Sequence, residues 1–147
     1  MVEVFGIPII GTAKFKTSGK LQFAAHILAE LFDNDNDGCA DDSKVLANLQ
    51  KKTGDGKRKT LFLINKESDT FPYQTAENAG YALRQLTYFD ECLPKFAGLN
   101  AIGKRDATME EFTHFINAQG HIPMYPKTFG AKWTSNSALT KAMDIAR

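Results

Sequence analysis

The stretch 31-LFDNDNDGCADD-42 crowds Asp33, Asp35, Asp37, Asp41 and Asp42 around one glycine, Gly38. Like charges this close repel, so the arrangement costs free energy unless a cation sits among them or water screens them fully. Upstream, Leu21, Ala24, Ala25, Leu28, Leu31 and Phe32 recur at helical spacing, which predicts an amphipathic helix from Leu21 to Phe32. Downstream, 41-DDSKVLANLQKK-52 opens with helix-capping residue types and carries Val45, Leu46 and Leu49 on one side, which predicts a second helix. The unit reads as helix, acidic loop, helix.

Numbered from Asp33, the loop places carboxylates at positions one, three and five (Asp33, Asp35, Asp37), Gly38 at six, the Cys39 carbonyl at seven and Asp41 at nine. Alternate carboxylates converge on a hard, oxygen-seeking ion, and glycine permits the sharp reversal between them. The order resembles the calcium loop of the EF-hand. Position twelve departs from it, because Lys44 stands where a bidentate glutamate closes the cage. Asp41 and Asp42 compensate in part, which looks like the shorter acidic loops of thrombospondin type-3 repeats and dockerin-like modules. Fewer dedicated ligands imply weak binding, about 10⁻⁴ to 10⁻³ M, suited to a structural ion rather than a sensor. The competing reading is a solvated acidic turn at the start of the next helix, where negative charge favours the positive end of the dipole and Asp42 serves as cap.

The chain has 147 residues, enough for one domain, 1–147, with a single core. With 18 Lys+Arg against 17 Asp+Glu, no global field favours nucleic acid or an anionic membrane surface. Eleven Phe in a chain that is 43% hydrophobic predict a well-packed interior. No apolar run approaches the roughly 20 residues of a membrane helix, so no membrane insertion is expected. The N-terminus carries Glu3 and no basic lead. It predicts an extracellular protein whose signal has been removed, or a cytosolic one if Met1 is native. Cys39 and Cys92 imply no disulfide framework and have no zinc-holding spacing.

Along the rest of the chain, 2-VEVFGIPII-10 reads as an opening strand with Pro8 marking an edge or bend, and 60-TLFLIN-65 as a buried strand after a basic turn over 51–59. Leu83, Leu86 and Phe89 at helical spacing predict a helix over 75–93. Loops are expected over 66–74 and 95–107. Thr108 and Glu111 form a capping-box pair that starts a helix over 108–120, and Gly120 ends it. Pro123 and Pro126 deny the next stretch regular hydrogen bonding. A closing helix capped by Ser135 or Ser137 finishes the chain. The expected fold is a helix-rich α+β domain, its small sheet built from the two strands and its helices packed on one side.

The histidines lie beside carboxylates at helical spacing: His26 with Glu30, and His114 with Glu110. The run 110-EEFTH-114 is what the zinc-peptidase motif HExxH looks like with its first histidine replaced by glutamate. Glu110 and His114 would then be metal ligands, Glu111 the general base activating a water, and His121 a third ligand. The plainer reading is a solvent-washed helix, with Glu110, His114 and Asn117 on one stripe and Met109, Phe112 and Ile116 facing the other way.

Together 26-HILAELFDNDNDGCADD-42, 84-RQLTYFDECLPKF-96, 107-ATMEEFTHFINAQGH-121, 124-MYPKTFG-130 and 142-AMDIAR-147 resemble a poorly characterised family of small, mostly secreted proteins. Its members pair an Asp-rich loop with an E-E-x-x-H helix and look distantly like zincins. The resemblance implies a calcium-bearing domain with a structural role or an unidentified protein or peptide partner. The alternative it implies is a zincin-like hydrolase dependent on Zn²⁺ or another transition metal.

Overall fold

The opening residues do not make one strand but two, β1 (Val2–Val4) and β2 (Ile7–Gly11). They pair antiparallel, with Val2 opposite Ile9 and Val4 opposite Ile7. Phe5 and Gly6, at φ 47° and 75°, are both left-handed, the backbone of a tight two-residue hairpin turn. A phenylalanine at positive φ is strained. Its ring is held edge-on to Phe32, 5.9 Å between centroids, so the hairpin is fastened where the acidic loop begins. Pro8 sits within β2 opposite Glu3.

The computed structural model describes residues 1–66, 73–93, 106–130 and 136–146. In chain order, β2 is followed by α1 (Ala13–Thr17), α2 (Lys20–Phe32), α3 (Ser43–Gln50), β3 (Arg58–Ile64), α4 (Tyr73–Asn78) and β4 (Tyr81–Tyr88). Then come α5 (Ala107–Ile116), a π-helical turn (Asn117–His121), α6 (Ile122–Met124) and α7 (Ala138–Ile145). The sheet runs β1-β2-β3-β4, with β2, β3 and β4 mutually parallel. Parallel neighbours need long crossovers, which the helices supply, so the chain is a mixed α+β single domain as expected.

The helix expected over 75–93 is instead short α4 followed by strand β4. A bulge explains the misreading. Leu83 faces Thr60 of β3 and Gln85 faces Leu61, which leaves Arg84 as an extra residue. Beyond that insertion the alternation resumes one residue late, so Tyr81, Leu83, Leu86 and Tyr88 share one face with Phe62 and Ile64. The three-residue step from Leu83 to Leu86 therefore mimics helical spacing.

The larger core lies on the other face, where Ile7, Ile9, Leu61 and Leu63 meet Phe15 of α1, Leu21, Ala24 and Leu28 of α2, Val45 and Leu49 of α3, and Phe112 and Phe115 of α5. Each of these Ile, Leu, Val and Phe side chains contributes roughly 1.5–3 kcal/mol through burial. The helices are not all on one side: Ala76 of α4 packs against the Phe62 and Ile64 face.

Two boundaries differ from expectation, the start and the end of α5, whereas the α7 cap falls on one of the two serines expected. The α5 cap is Asp106, whose carboxylate accepts the Thr108 N–H at 3.2 Å and the Leu93 N–H at 3.1 Å, so the Thr108–Glu111 capping box does not form. Thr108 is buried in the first turn, and Glu111 accepts a hydrogen bond from Gln85 of β4. Nor does Gly120 end the helix, which widens into the π turn and continues through Pro123 into α6. Gly120 is there for closeness: a Cβ on it would stand 2.7 Å from Val45 Cγ1. The α7 cap is Ser137, in a reciprocal box with Thr140. Ser135 and nearly all of the loop expected over 95–107 lie outside the described residues, as does most of the loop over 66–74. Among the described residues no helix is long and apolar enough to cross a membrane.

The basic turn before β3 is organised by Asp55. Its carboxylate accepts the Thr53 hydroxyl and pairs with Lys57 Nζ at 2.9 Å, and Lys57 reaches Glu77 of α4 at 3.5 Å. The Thr53 hydrogen bond, with Lys57 behind it, holds the Asp55 carboxyl at about 2, below its ordinary 3.8. A carboxyl depressed in the folded state supports stability above its ordinary value and loses that support as pH falls through the lowered one. An NMR titration is expected to place the Asp55 side-chain midpoint near 2, and Lys57→Ala to raise it. A midpoint at the ordinary value in both proteins would contradict this geometry.

Candidate metal centre

The acidic loop is closed by its own ends. Asp33 caps the C-terminus of α2, its N–H bonding the Ala29 carbonyl at 2.9 Å. Eight residues on, the Asp41 N–H returns to the Phe32 carbonyl at 2.8 Å, and the Asn34 N–H donates to Asp41 Oδ2 at 3.1 Å. Between these ends Asn36 and Gly38 take left-handed φ values of 59° and 85°. Asparagine and glycine tolerate that region best, which is why this sequence turns here.

The turn folds alternate carboxylates inward. Asp33 Oδ1 accepts the Asp37 N–H at 3.0 Å and Asp33 Oδ2 the Gly38 N–H at 2.9 Å. Asp37 Oδ1 accepts the Cys39 N–H at 2.7 Å, and Asp35 Oδ1 a longer bond from Asp37 N at 3.3 Å. One oxygen from each of Asp33, Asp35 and Asp37 lies within 4.8 Å of the others. Oxygens bound about 2.4 Å from a common ion stand at most about 4.8 Å apart, so the three carboxylates are close enough to share one cation. Asp33 is nearly buried at 9% exposure, whereas Asp35 and Asp37 face solvent.

Among the described residues that trio is the one such group, and Asp41 is not in it. The Cys39 thiol is exposed and unpaired, and Cys92 is a buried free thiol. The Asp37 charge, with Asp33 and Asp35 behind it, pushes the Cys39 thiol up, so its sulfur stays protonated near neutrality. Lys44, at position twelve, sits in the first turn of α3.

The cap and the cluster, posed as rivals in the sequence, are separate residues. Asp42 is the α3 cap, its Oδ1 accepting the Lys44 and Val45 N–H groups at 3.0 and 2.9 Å. Its Oδ2 accepts the Tyr125 hydroxyl at 2.8 Å. Burial pushes the Asp42 carboxyl up, but the Val45 N–H, the Tyr125 hydroxyl, the Lys44 N–H and the charge of His121 together bring it below the ordinary range. Tyr125 is the residue sequence reasoning missed. It lies 83 positions from its partner, and no local pattern signals it.

The histidine constellation is not assembled. Glu110 and His114 face each other at 3.7 Å, both 62% exposed. His121 stacks on Phe129, 4.7 Å between ring centroids and 13° from parallel. Among the described residues Glu110, His114 and His121 do not form a ligand group. Residues seven apart share a face of an α-helix, but the wider π turn advances less per residue and takes His121 off that stripe. Glu111 points to Gln85 rather than outward with Glu110. His26 and Glu30, 3.1 Å apart and exposed, are an ordinary surface pair. No protein-family model, curated protein or solved structure matches the chain.

Proposed function

We propose that residues 33–41 bind a Ca²⁺ ion that fixes α2 against α3, a structural role within the domain. The observation that carries the reading is the convergence of the Asp33, Asp35 and Asp37 oxygens within 4.8 Å on a loop closed at both ends by hydrogen bonds. Each carboxylate oxygen has two lone pairs, so the oxygens that accept loop N–H groups retain a site for a metal. Asp41 stands outside the trio and closes the loop instead, so water fills the remainder of the six to eight positions calcium takes. All-oxygen donors suit a hard cation better than zinc, and three carboxylates completed by water suit the adaptable six to eight positions of calcium better than magnesium, which demands near-ideal octahedral geometry.

Calorimetric titration of Ca²⁺ into the wild type, Asp35→Ala and Asp37→Ala tests this, with Mg²⁺ as comparison. The wild type is expected to bind one ion with Kd about 10⁻⁴ to 10⁻³ M. Either substitution is expected to weaken binding at least about tenfold, the cost of one lost charged ligand in a site with few. Identical isotherms for all three proteins would remove the loop as the site.

A further inference from the structure

The loop and the π turn lie far apart in sequence yet meet on one element, α3. Asp42 joins them: it follows Asp41, whose N–H and carboxylate close the loop, and its own carboxylate both caps α3 and receives Tyr125. One turn on, Gly120 seats against Val45 and Leu49, and further along Asn48 Nδ2 donates to the Gln119 carbonyl at 2.8 Å. The segment 117–125 is thus held to the helix that leaves the loop at three points, and no slack residue separates loop closure from helix cap. A π turn is an uncommon local solution, disfavoured against a continuous α-helix unless its surroundings hold it. Here the surroundings are α3.

We propose that occupancy of the 33–41 loop is coupled through α3 to the order of residues 117–125, with Asp42 as the junction and Tyr125 as the receiving contact. This rests on the calcium reading above. An ion among Asp33, Asp35 and Asp37 opposes opening of the loop. A closed loop holds Asp42 where it caps α3 and meets the Tyr125 hydroxyl. A bound state that favours the docked segment is itself favoured by docking, because coupling between two sites is reciprocal.

Two measurements test it. Hydrogen exchange of the wild type, with Ca²⁺ at roughly ten times its Kd, is expected to slow amides in 117–125 by up to about tenfold, the limit set by mass action. Amides of α4, on the opposite face of the sheet, are expected to hold their rates. Calorimetry on Tyr125→Phe, which removes only the hydroxyl, is expected to show calcium affinity lowered about fivefold, the lower end of typical coupling. Slowed exchange in 117–125 with weakened binding in Tyr125→Phe supports the coupling. Wild-type binding with exchange unchanged in 117–125, or slowed equally in α4, overturns the coupling and leaves the calcium site standing. No calcium heat in the wild type overturns both.

Discussion

Asp33→Ala is expected to lose calcium binding altogether and, unlike its neighbours, to lower stability even without metal. The two losses have separate causes. The side chain is one of three convergent ligands, and removing it leaves two exposed carboxylates that hold an ion little better than solvent does. It also accepts two backbone N–H groups, from Asp37 and Gly38, in the least exposed part of the loop. Stranding part-buried donors costs about 1–3 kcal/mol, toward the lower end where water can reach them. Asp35 accepts only one long bond at 3.3 Å and is exposed, so Asp35→Ala without metal is expected to stay within about 0.5 kcal/mol of wild type. Urea unfolding of the three proteins, with and without Ca²⁺, separates the roles. At calcium roughly tenfold above the wild-type Kd the wild type is expected to gain about 1.4 kcal/mol, Asp35→Ala at most about 0.4 kcal/mol and Asp33→Ala nothing. Equal metal-free stability in Asp33→Ala and Asp35→Ala would show that Asp33 organises nothing beyond the ion.

What could be read in advance followed from locality. Leu21, Leu28 and Phe32 mark α2 because a helix repeats within a few residues, and their burial confirms the face they predict. The alternation of Asp33, Asp35 and Asp37 about Gly38 is equally local, and the structure brings those three side chains together. The misreadings arose where the backbone inserted or reversed something that residue types do not announce. Arg84 in the β4 bulge shifted the period of two to a step of three, and Phe5 at positive φ hid a hairpin inside one apolar run. The competition for the α5 cap was local too, but Asp106 is the better acceptor and lies two residues earlier than the threonine that fitted the box. Contacts set by the tertiary fold, such as Tyr125 on Asp42 and Gln85 on Glu111, have no signature in either segment.

Gly120 gives the sharpest test of how the π turn is held. In a helical backbone alanine is favoured over glycine by about 1 kcal/mol, so propensity alone predicts that Gly120→Ala stabilises. Packing predicts the reverse. The new methyl would lie 2.7 Å from Val45 Cγ1 and 3.4 Å from Leu49 Cδ1, and a β-branched side chain on a helix has one strongly preferred rotamer, so Val45 cannot swing aside. Relief must come from separating the π turn from α3, which also stretches the Asn48 to Gln119 bond. Gly120→Ala is therefore expected to destabilise by about 1–3 kcal/mol, the range for overpacking a tight contact. Val45→Ala alone is expected to cost a similar amount by leaving a cavity beside Leu49. Val45→Ala removes two methyls, Cγ1 among them, and Gly120→Ala puts one back across the same gap, so adding Gly120→Ala to the Val45→Ala protein is expected to be neutral or stabilising. The double-mutant cycle, read by urea unfolding, should then show an interaction of about 1–3 kcal/mol. Simple addition of the two costs would mean that Gly120 answers to backbone conformation rather than to Val45.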